Sequence, residues 1–268
     1  MGNASPMSLS KSKIVRQFNR AASRYDRFAQ LQGDVSADLV KVVDAYAGPE
    51  KDTLEIADFG CGTGTLIKSL ADLGYQHLFG FDIAPMMLEE AKQKCPPNVS
   101  FACGDIESLA IADNSFDVIV SNAAIQWCQS GKAFSEISRT LRTGGRAFVC
   151  TFGPDTLQQW QETFSIDGQR RVHTFETPDQ ITNSINGAGG LTPLSIETQL
   201  IDVAFTSVSA MLDSVRRVGA SNAQQNSGGK HISRSDYQAV KARFQETLQT
   251  KGKLTLTYEV ISIVAEKK

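Results

Sequence analysis

The chain has 268 residues, of which 41% are hydrophobic and 21% charged, with a formal net charge of −2. That length suits one large α/β domain with an inserted cap, or two small domains, and the near-neutral balance argues against a general nucleic-acid binder. Five cysteines (Cys61, Cys95, Cys103, Cys128 and Cys150) without a CxxC pair argue against a disulfide framework or a zinc site and point to a reducing cytoplasm.

In chain order, residues 1–10 read as a polar leader without the apolar run of a signal peptide, and nothing further on approaches ~18 uninterrupted apolar residues. From 11 to 46, Val15, Phe18, Ala22, Tyr25 and Ala29 recur at three and four, which predicts helix with one apolar face, broken at Gly48-Pro49. Strands are expected at 53–59, 77–81, 99–103, 116–121 and 146–152. Helices at 66–73, 85–94 and 132–141 alternate with them; Pro85 suits a first turn, and Gly144-Gly145 are expected to stop the third helix. Such alternation implies a parallel sheet covered on both faces, with ligands at the carboxyl ends of its strands. The loops after Phe59, Phe81, Cys103 and Ser121 should therefore line one crevice. Beyond them come a helix at 156–164, another opened by Thr177-Pro178-Asp179, and strands at 194–204 and 254–265. An insertion at about 205–253 is too long for an ordinary connection and reads as helices at 209–218 and 235–248 around a polar loop at 221–229.

The strongest motif is Asp58-Phe59-Gly60-Cys61-Gly62-Thr63-Gly64, at the end of the first strand. Its glycines permit a tight turn and close approach of backbone to a ligand. Thr65 stands where a dinucleotide fingerprint needs its third glycine, and an acid two residues before the first glycine suits a cationic amine better than a pyrophosphate. Asp82, about twenty residues on, can accept both hydroxyls of a ribose, with Ile83 and Met87 on either side of an adenine. Gly104-Asp105-Ile106 ends the third strand, with Asp105 placed to accept from the adenine amino group, and Ser121-Asn122-Ala123-Ala124 ends the fourth. Alone, each is an ordinary turn or helix cap; together, at four successive strand ends, they describe a site.

These loops resemble those of the class I S-adenosylmethionine-dependent methyltransferases over roughly residues 53–152. The resemblance implies a Rossmann-like α/β fold with a seven-stranded, mostly parallel sheet of order 3-2-1-4-5-7-6, one strand antiparallel. It divides the chain into an N-terminal helical segment and lid (1–48) and a methyltransferase domain (49–268). It implies S-adenosylmethionine as cofactor, S-adenosylhomocysteine as product and no metal. Asn122 would lie beneath the methionine moiety, completing a cofactor-binding set of Tyr25, Asp58, Gly60, Gly62, Gly64, Asp82, Ile83, Met87, Gly104, Asp105, Ile106 and Asn122.

A narrower resemblance rests on Phe18-Asn19-Arg20-Ala21-Ala22-Ser23-Arg24-Tyr25, Gly104-Asp105-Ile106-Glu107-Ser108-Leu109 and Asn122-Ala123-Ala124-Ile125-Gln126-Trp127-Cys128. With Phe175, Pro178-Asp179, Val218-Gly219-Ala220 and Leu256-Thr257-Tyr258, these segments are similar to the malonyl-acyl-carrier-protein O-methyltransferases of biotin synthesis (BioC), over nearly the whole chain. That family esterifies the free carboxylate of malonyl on acyl carrier protein, masking its charge so that fatty-acid enzymes can extend it towards pimelate. A carboxylate with a pKa near ~4 is already ionised, so no general base is needed. Catalysis then reduces to orientation, which can supply up to ~7–11 kcal/mol.

Tyr25 and Trp127 are expected to close over the sulfonium and the malonyl group, although simple packing would equally explain Trp127. Arg216 and Arg217, and less strongly Arg171, are candidates to pair the malonyl carboxylate, although an arginine pair on a helix equally serves as a solvated face. Between 11 and 27 stand six basic residues against one acid, Asp26. Within them Arg16, Arg20 and Arg24, spaced by four, would form a ridge for the acidic carrier, or equally a membrane-facing or solvated surface. The cofactor loops alone leave open another small carboxylate, a quinone precursor or a lipid as acceptor, and a non-enzymatic S-adenosylmethionine-binding regulator. A cytoplasmic monomer without membrane or nucleic-acid partners is expected.

Overall fold

The computed structural model describes residues 10–164, 174–217 and 234–268. The N-terminal segment is α1 (Lys11–Ala21), a 3-10 turn (Ala22–Arg27) and α2 (Gln30–Ala47), not one helix. The amides of Phe28 and Ala29 both turn back to the Tyr25 carbonyl at 3.0 Å. The break has a packing cause. Ala22, with Phe18 and Tyr25, buries against Ala84 and Met87, whereas α2 buries Leu31, Val35, Leu39 and Val43 in the main core. One straight rod could not cover both surfaces.

The remaining elements are β1 (Glu55–Phe59), α3 (Thr65–Asp72), β2 (His77–Asp82), α4 (Pro85–Lys94), β3 (Ser100–Cys103), β4 (Phe116–Asn122), α5 (Ser130–Thr140) and β5 (Leu141–Phe152). Then follow α6 (Gln158–Phe164), α7 (Pro178–Gly187), β6 (Leu191–Phe205), α8 (Val208–Arg217), α9 (Arg234–Lys251) and β7 (Leu254–Lys267). The sheet order is β3-β2-β1-β4-β5-β7-β6. β3 to β5 pair in parallel, and β7 is antiparallel to both neighbours. The expected order and its one antiparallel strand are both present. Central strands are apolar on both faces (Ile56, Ala57, Val118 and Ile119 are fully buried) because helices cover both sides.

Two local expectations differ. Gly144-Gly145 do not stop α5, which ends at Thr140; they lie inside β5, where its pairing with β4 shifts register between Phe116 and Val118. A Cβ on Gly145 would come within 2.8 Å of the Asp117 carbonyl, so glycine serves a sheet irregularity there. Thr177 does open α7, through a capping box. Its hydroxyl accepts the Gln180 amide at 3.2 Å, and the Gln180 side chain accepts the Thr177 amide at 2.9 Å. Among the described residues no helix is long and apolar enough to cross a membrane.

Candidate active site

Parallel pairing brings the ends of β1, β2, β3 and β4 to one edge, and their loops enclose a cavity roofed by α1 and the 3-10 turn. Gly60 turns the chain out of β1 with φ +84°, and a Cβ there would lie 2.3 Å from the Ala124 Cβ. Glycine thus lets the first loop pass the β4 loop. Gly62 and Gly104 also line the cavity. Gly64 does not: it begins α3 with φ +78°, and its missing Cβ lets α4 approach, Ala91 Cβ lying 2.9 Å from where that atom would be.

Asp82 ends β2 and accepts two backbone amides, Gly62 at 2.9 Å on Oδ2 and Ala84 at 2.8 Å on Oδ1. Burial raises its pKa despite those bonds. Ile83, buried Met87 and buried Ile106 supply an apolar slot beside it. Asp105 is already partnered: Oδ1 accepts Lys11 Nζ at 2.9 Å and the Glu107 amide at 3.0 Å. Lys11 also pairs with Glu107 at 2.5 Å. Lys11 therefore faces inward and does not belong to the exposed basic surface.

A second cavity, under Tyr25, holds Asp58 and Asn122. Asp58 is 2% exposed, and its Oδ1 has no hydrogen-bond partner. Burial, then the charge of Asp82, pushes its carboxyl up to about 8. The Asn122 amide donates to the Gln32 carbonyl at 2.8 Å, leaving its own buried Oδ1 without a donor. Two orphan acceptors beside a ribose-type acid and an apolar slot fit a nucleoside bearing a cationic amine.

Tyr25 and Trp127 both line the first cavity, joined by a residue that sequence reasoning did not place in the site. Phe18 packs edge-on to Tyr25 at 6.2 Å and to Trp127 at 5.8 Å, making an aromatic roof. Burial drives the Tyr25 hydroxyl well above its usual pKa, with Asp82 and Asp26 adding to it. Beyond Trp127 opens a groove of about 840 Å³, lined by Gln126, Thr151, Phe152 and Phe175 among others.

Arg16, Arg20 and Arg24 are all exposed, but only the first two share α1. Arg24 sits on the 3-10 turn, where the spacing of four no longer aligns side chains, so the expected three-residue ridge is corrected to a pair plus a displaced third. Arg171 lies outside the described residues, as do Val218-Gly219-Ala220 and the side chains of Arg216 and Arg217, whose backbone ends α8.

Residues 57–149 match the family described as Methyltransferase domain. A malonyl-[acyl-carrier protein] O-methyltransferase of Dechloromonas aromatica (strain RCB) is 30% identical, covering 96% of this chain and 95% of the relative. One of the same name from Herminiimonas arsenicoxydans is 29% identical, covering 97% of each chain. The chain belongs to the malonyl-acyl-carrier-protein O-methyltransferase family. Its architecture is that of the Rossmann-like class I S-adenosylmethionine-dependent methyltransferases. Among solved structures of that fold, the YcgJ protein from Bacillus subtilis superposes with a TM-score of 0.59 at 17% identity, covering 87% of this chain and 99% of that one. In this methyltransferase two of the cavity-lining residues missed from sequence, Lys11 and Phe18, share one cause. Both come from α1, whose contacts with the crevice depend on how the N-terminal segment packs against the sheet.

Proposed function

We propose that this protein transfers the methyl group of S-adenosylmethionine to the free carboxylate of malonyl carried on acyl carrier protein, giving the methyl ester that opens pimeloyl synthesis for biotin. The observation that carries the reading is the meeting of two spaces. Lys11, Asp105, Trp127 and Cys128 line both the nucleoside-type cavity and the wide groove. Relatives named for this activity align over nearly the whole chain, lid included.

When bound, S-adenosylmethionine supplies an electrophilic methyl on a cationic sulfur, which the acceptor carboxylate takes while the carbon–sulfur electron pair stays on sulfur. Asp82 takes the ribose hydroxyls, Ile83, Met87 and Ile106 enclose the adenine beside Asp105, and Gly60, Gly62 and Gly104 allow close approach. Asp58 and Asn122 receive the amine of the methionine arm. Tyr25 and Trp127, braced by Phe18, exclude water and face the sulfonium. No residue takes a proton: burial pushes the Cys128 thiol up to about 12 and keeps Tyr25 neutral. Orientation of an ionised acceptor is the chemistry supplied. Arg216 and Arg217, with Arg171 as a third candidate, pair the malonyl carboxylate. Arg16, Arg20 and Arg24 meet the acidic carrier.

Incubation with S-adenosylmethionine and malonyl-acyl carrier protein, followed by intact-mass measurement of the carrier, tests the reading. A gain of one methyl is expected. No gain, with S-adenosylhomocysteine binding confirmed, overturns the acceptor assignment and leaves the cofactor assignment standing.

A further inference from the structure

We infer that the opening turns of α2, with Ser36 as the side-chain donor, form the seat for the carboxylate of the cofactor's amino-acid arm. This rests on the cofactor reading above and assigns a part of the site that neither the glycine loop nor the strand ends supply.

Ser36 is 4% exposed, lines the cavity that holds Asp58 and Asn122, and its hydroxyl has no partner. That isolation is unusual, because a helical serine ordinarily donates to the carbonyl four residues back. Here that carbonyl belongs to Gln32 and already accepts the Asn122 side chain at 2.8 Å. With the intrahelical bond from the Ser36 amide, both of its lone pairs are engaged. The Ser36 hydroxyl is therefore turned to the cavity with a proton to give.

The same cavity receives the start of α2, through Ala29, Gln30, Gln32 and Gly33. Helix geometry leaves the amides of Gln30, Leu31 and Gln32 without an intrahelical acceptor. Ala29 at the N-cap offers no side-chain oxygen, and the first turn carries no acid. An 18-residue helix thus presents a positive end with no acid in its own first turn to the cavity, and Asp26, which also lines it, is engaged by Thr63 and Lys94. Gly33 faces open space: a Cβ there meets nothing within 4 Å.

No lysine, arginine or histidine lines this cavity among the described residues. A carboxylate entering it has only neutral donors to meet; the Thr63 hydroxyl is spent on Asp26 and the Asn122 amide on Gln32, whereas Ser36 and the first amides of α2 are unspent. The ends of β1 and β4 bring the acceptors, Asp58 Oδ1 and Asn122 Oδ1, to the same cavity. Unspent donors on α2 and orphan acceptors on Asp58 and Asn122 match the two ends of an α-amino acid, and the Asn122–Gln32 bond ties the two sets together.

The test compares S-adenosylmethionine with its decarboxylated form by isothermal titration, so that binding and not turnover is read. The native protein is expected to prefer the carboxylate form. Ser36→Ala should weaken S-adenosylmethionine by about tenfold while leaving the decarboxylated ligand within about twofold, as loss of a hydrogen bond to a charged group implies. Gly33→Asp places an acid where the helix end favours it and should spare the fold. It should weaken S-adenosylmethionine by more than about tenfold and leave the decarboxylated ligand no weaker. Equal losses for both ligands, no loss for either, or no native preference overturns the seat. Failure of the native protein to bind either ligand or 5′-methylthioadenosine overturns the cofactor reading itself.

Discussion

Asp58 and Asp82 stand at the ends of adjacent parallel strands, and the backbone compensates only Asp82. Two amides meet Asp82, whereas Asp58 keeps a buried oxygen without a partner. Burial first, and then the Asp82 charge, carries the Asp58 carboxyl from 3.8 to about 8. A carboxyl with a higher pKa folded than unfolded gives stability that is complete below about 4 and is lost as pH rises towards 8. A cationic amine needs the ionised form, so binding runs the other way. S-adenosylhomocysteine affinity should rise between pH 5.5 and 7.5 by up to about tenfold per unit. Asp58→Asn should flatten that slope, weaken binding at pH 7.5 and raise the melting temperature there. A native affinity that stays level across the range, measured by titration calorimetry, would remove Asp58 from amine recognition.

Gly60 carries the tightest passage in the site. Gly60→Ala forces φ +84° on a residue with a Cβ and drives that atom to 2.3 Å from Ala124 Cβ. The expected cost is roughly 2–3 kcal/mol in denaturant unfolding, with more than tenfold weaker S-adenosylhomocysteine binding. Gly131→Ala on α5, where a Cβ meets nothing within 4 Å, should instead gain roughly 0.5 kcal/mol. Matching effects at the two positions would refute the steric account.

The sheet was legible because strands and helices alternate and glycine loops punctuate them; Asp58, Asp82 and Asn122 sit where strand-end logic puts them. The N-terminal segment was less legible. Val15, Phe18, Ala22, Tyr25 and Ala29 keep a helical period across a break that tertiary packing imposes, so periodicity could not reveal the 3-10 turn. Lys11 counts as surface charge until its partners are known, and Asp105 and Glu107 lie 94 and 96 positions away. Ser36 carried no motif. That its hydroxyl is unspent follows from Gln32 being already engaged, which the fold alone reveals.

The polar ties that hold α1 and the 3-10 turn include Lys11 on Asp105 and Glu107, Asn19 Oδ1 accepting the Met86 amide at 3.0 Å, and Asp26 accepting Thr63 at 2.6 Å and pairing with Lys94. Lys11→Met cuts the first while keeping the aliphatic stem. S-adenosylhomocysteine should then leave several-fold faster, and amides of 11–27 should exchange more quickly, because α1 closes the cavity from above. Stopped-flow displacement and hydrogen exchange measure the two. Unchanged dissociation would show that the aromatic roof alone sets the residence time.

Glu136 anchors the loop after β3. Its carboxylate accepts the Leu109 amide at 2.6 Å and Arg139 at 2.6 and 3.0 Å, while Arg139 also donates to the carbonyls of Leu109 and Ile111. Burial opposes ionisation of Glu136, but Arg139 and the Leu109 amide outweigh it and hold its pKa below 4.5. Its contribution is therefore present above that value and is lost as pH falls through the lowered folded pKa. Arg139→Met leaves a mostly buried carboxylate without its cation and should cost about 3 kcal/mol near pH 7. The deficit should shrink as pH falls through the lowered folded pKa of Glu136, and urea melts near pH 7 and in that acid range read it. A deficit that is the same at both would assign the loss to packing alone.

The proposed carrier-docking face combines charge with exposure. Arg16 and Arg20 project from α1 opposite buried Ile14, and neither lines the cofactor cavity. The Asn19–Met86 bond sets this face beside Met86, which is 49% exposed, so a basic pair borders an apolar spot. An acidic carrier helix would meet the arginines first and the methionine on seating. Arg16→Glu with Arg20→Glu should weaken malonyl-carrier binding by at least about tenfold at low salt, mostly through slower association, and leave S-adenosylhomocysteine affinity unchanged. The native salt dependence should flatten in the variant. Arg24→Glu alone should do less than either single change on α1, because the 3-10 turn carries Arg24 off that face. Surface plasmon resonance across a salt series separates these outcomes. An Arg24 effect as large as that of Arg20 would move the docking surface off α1 and onto the turn.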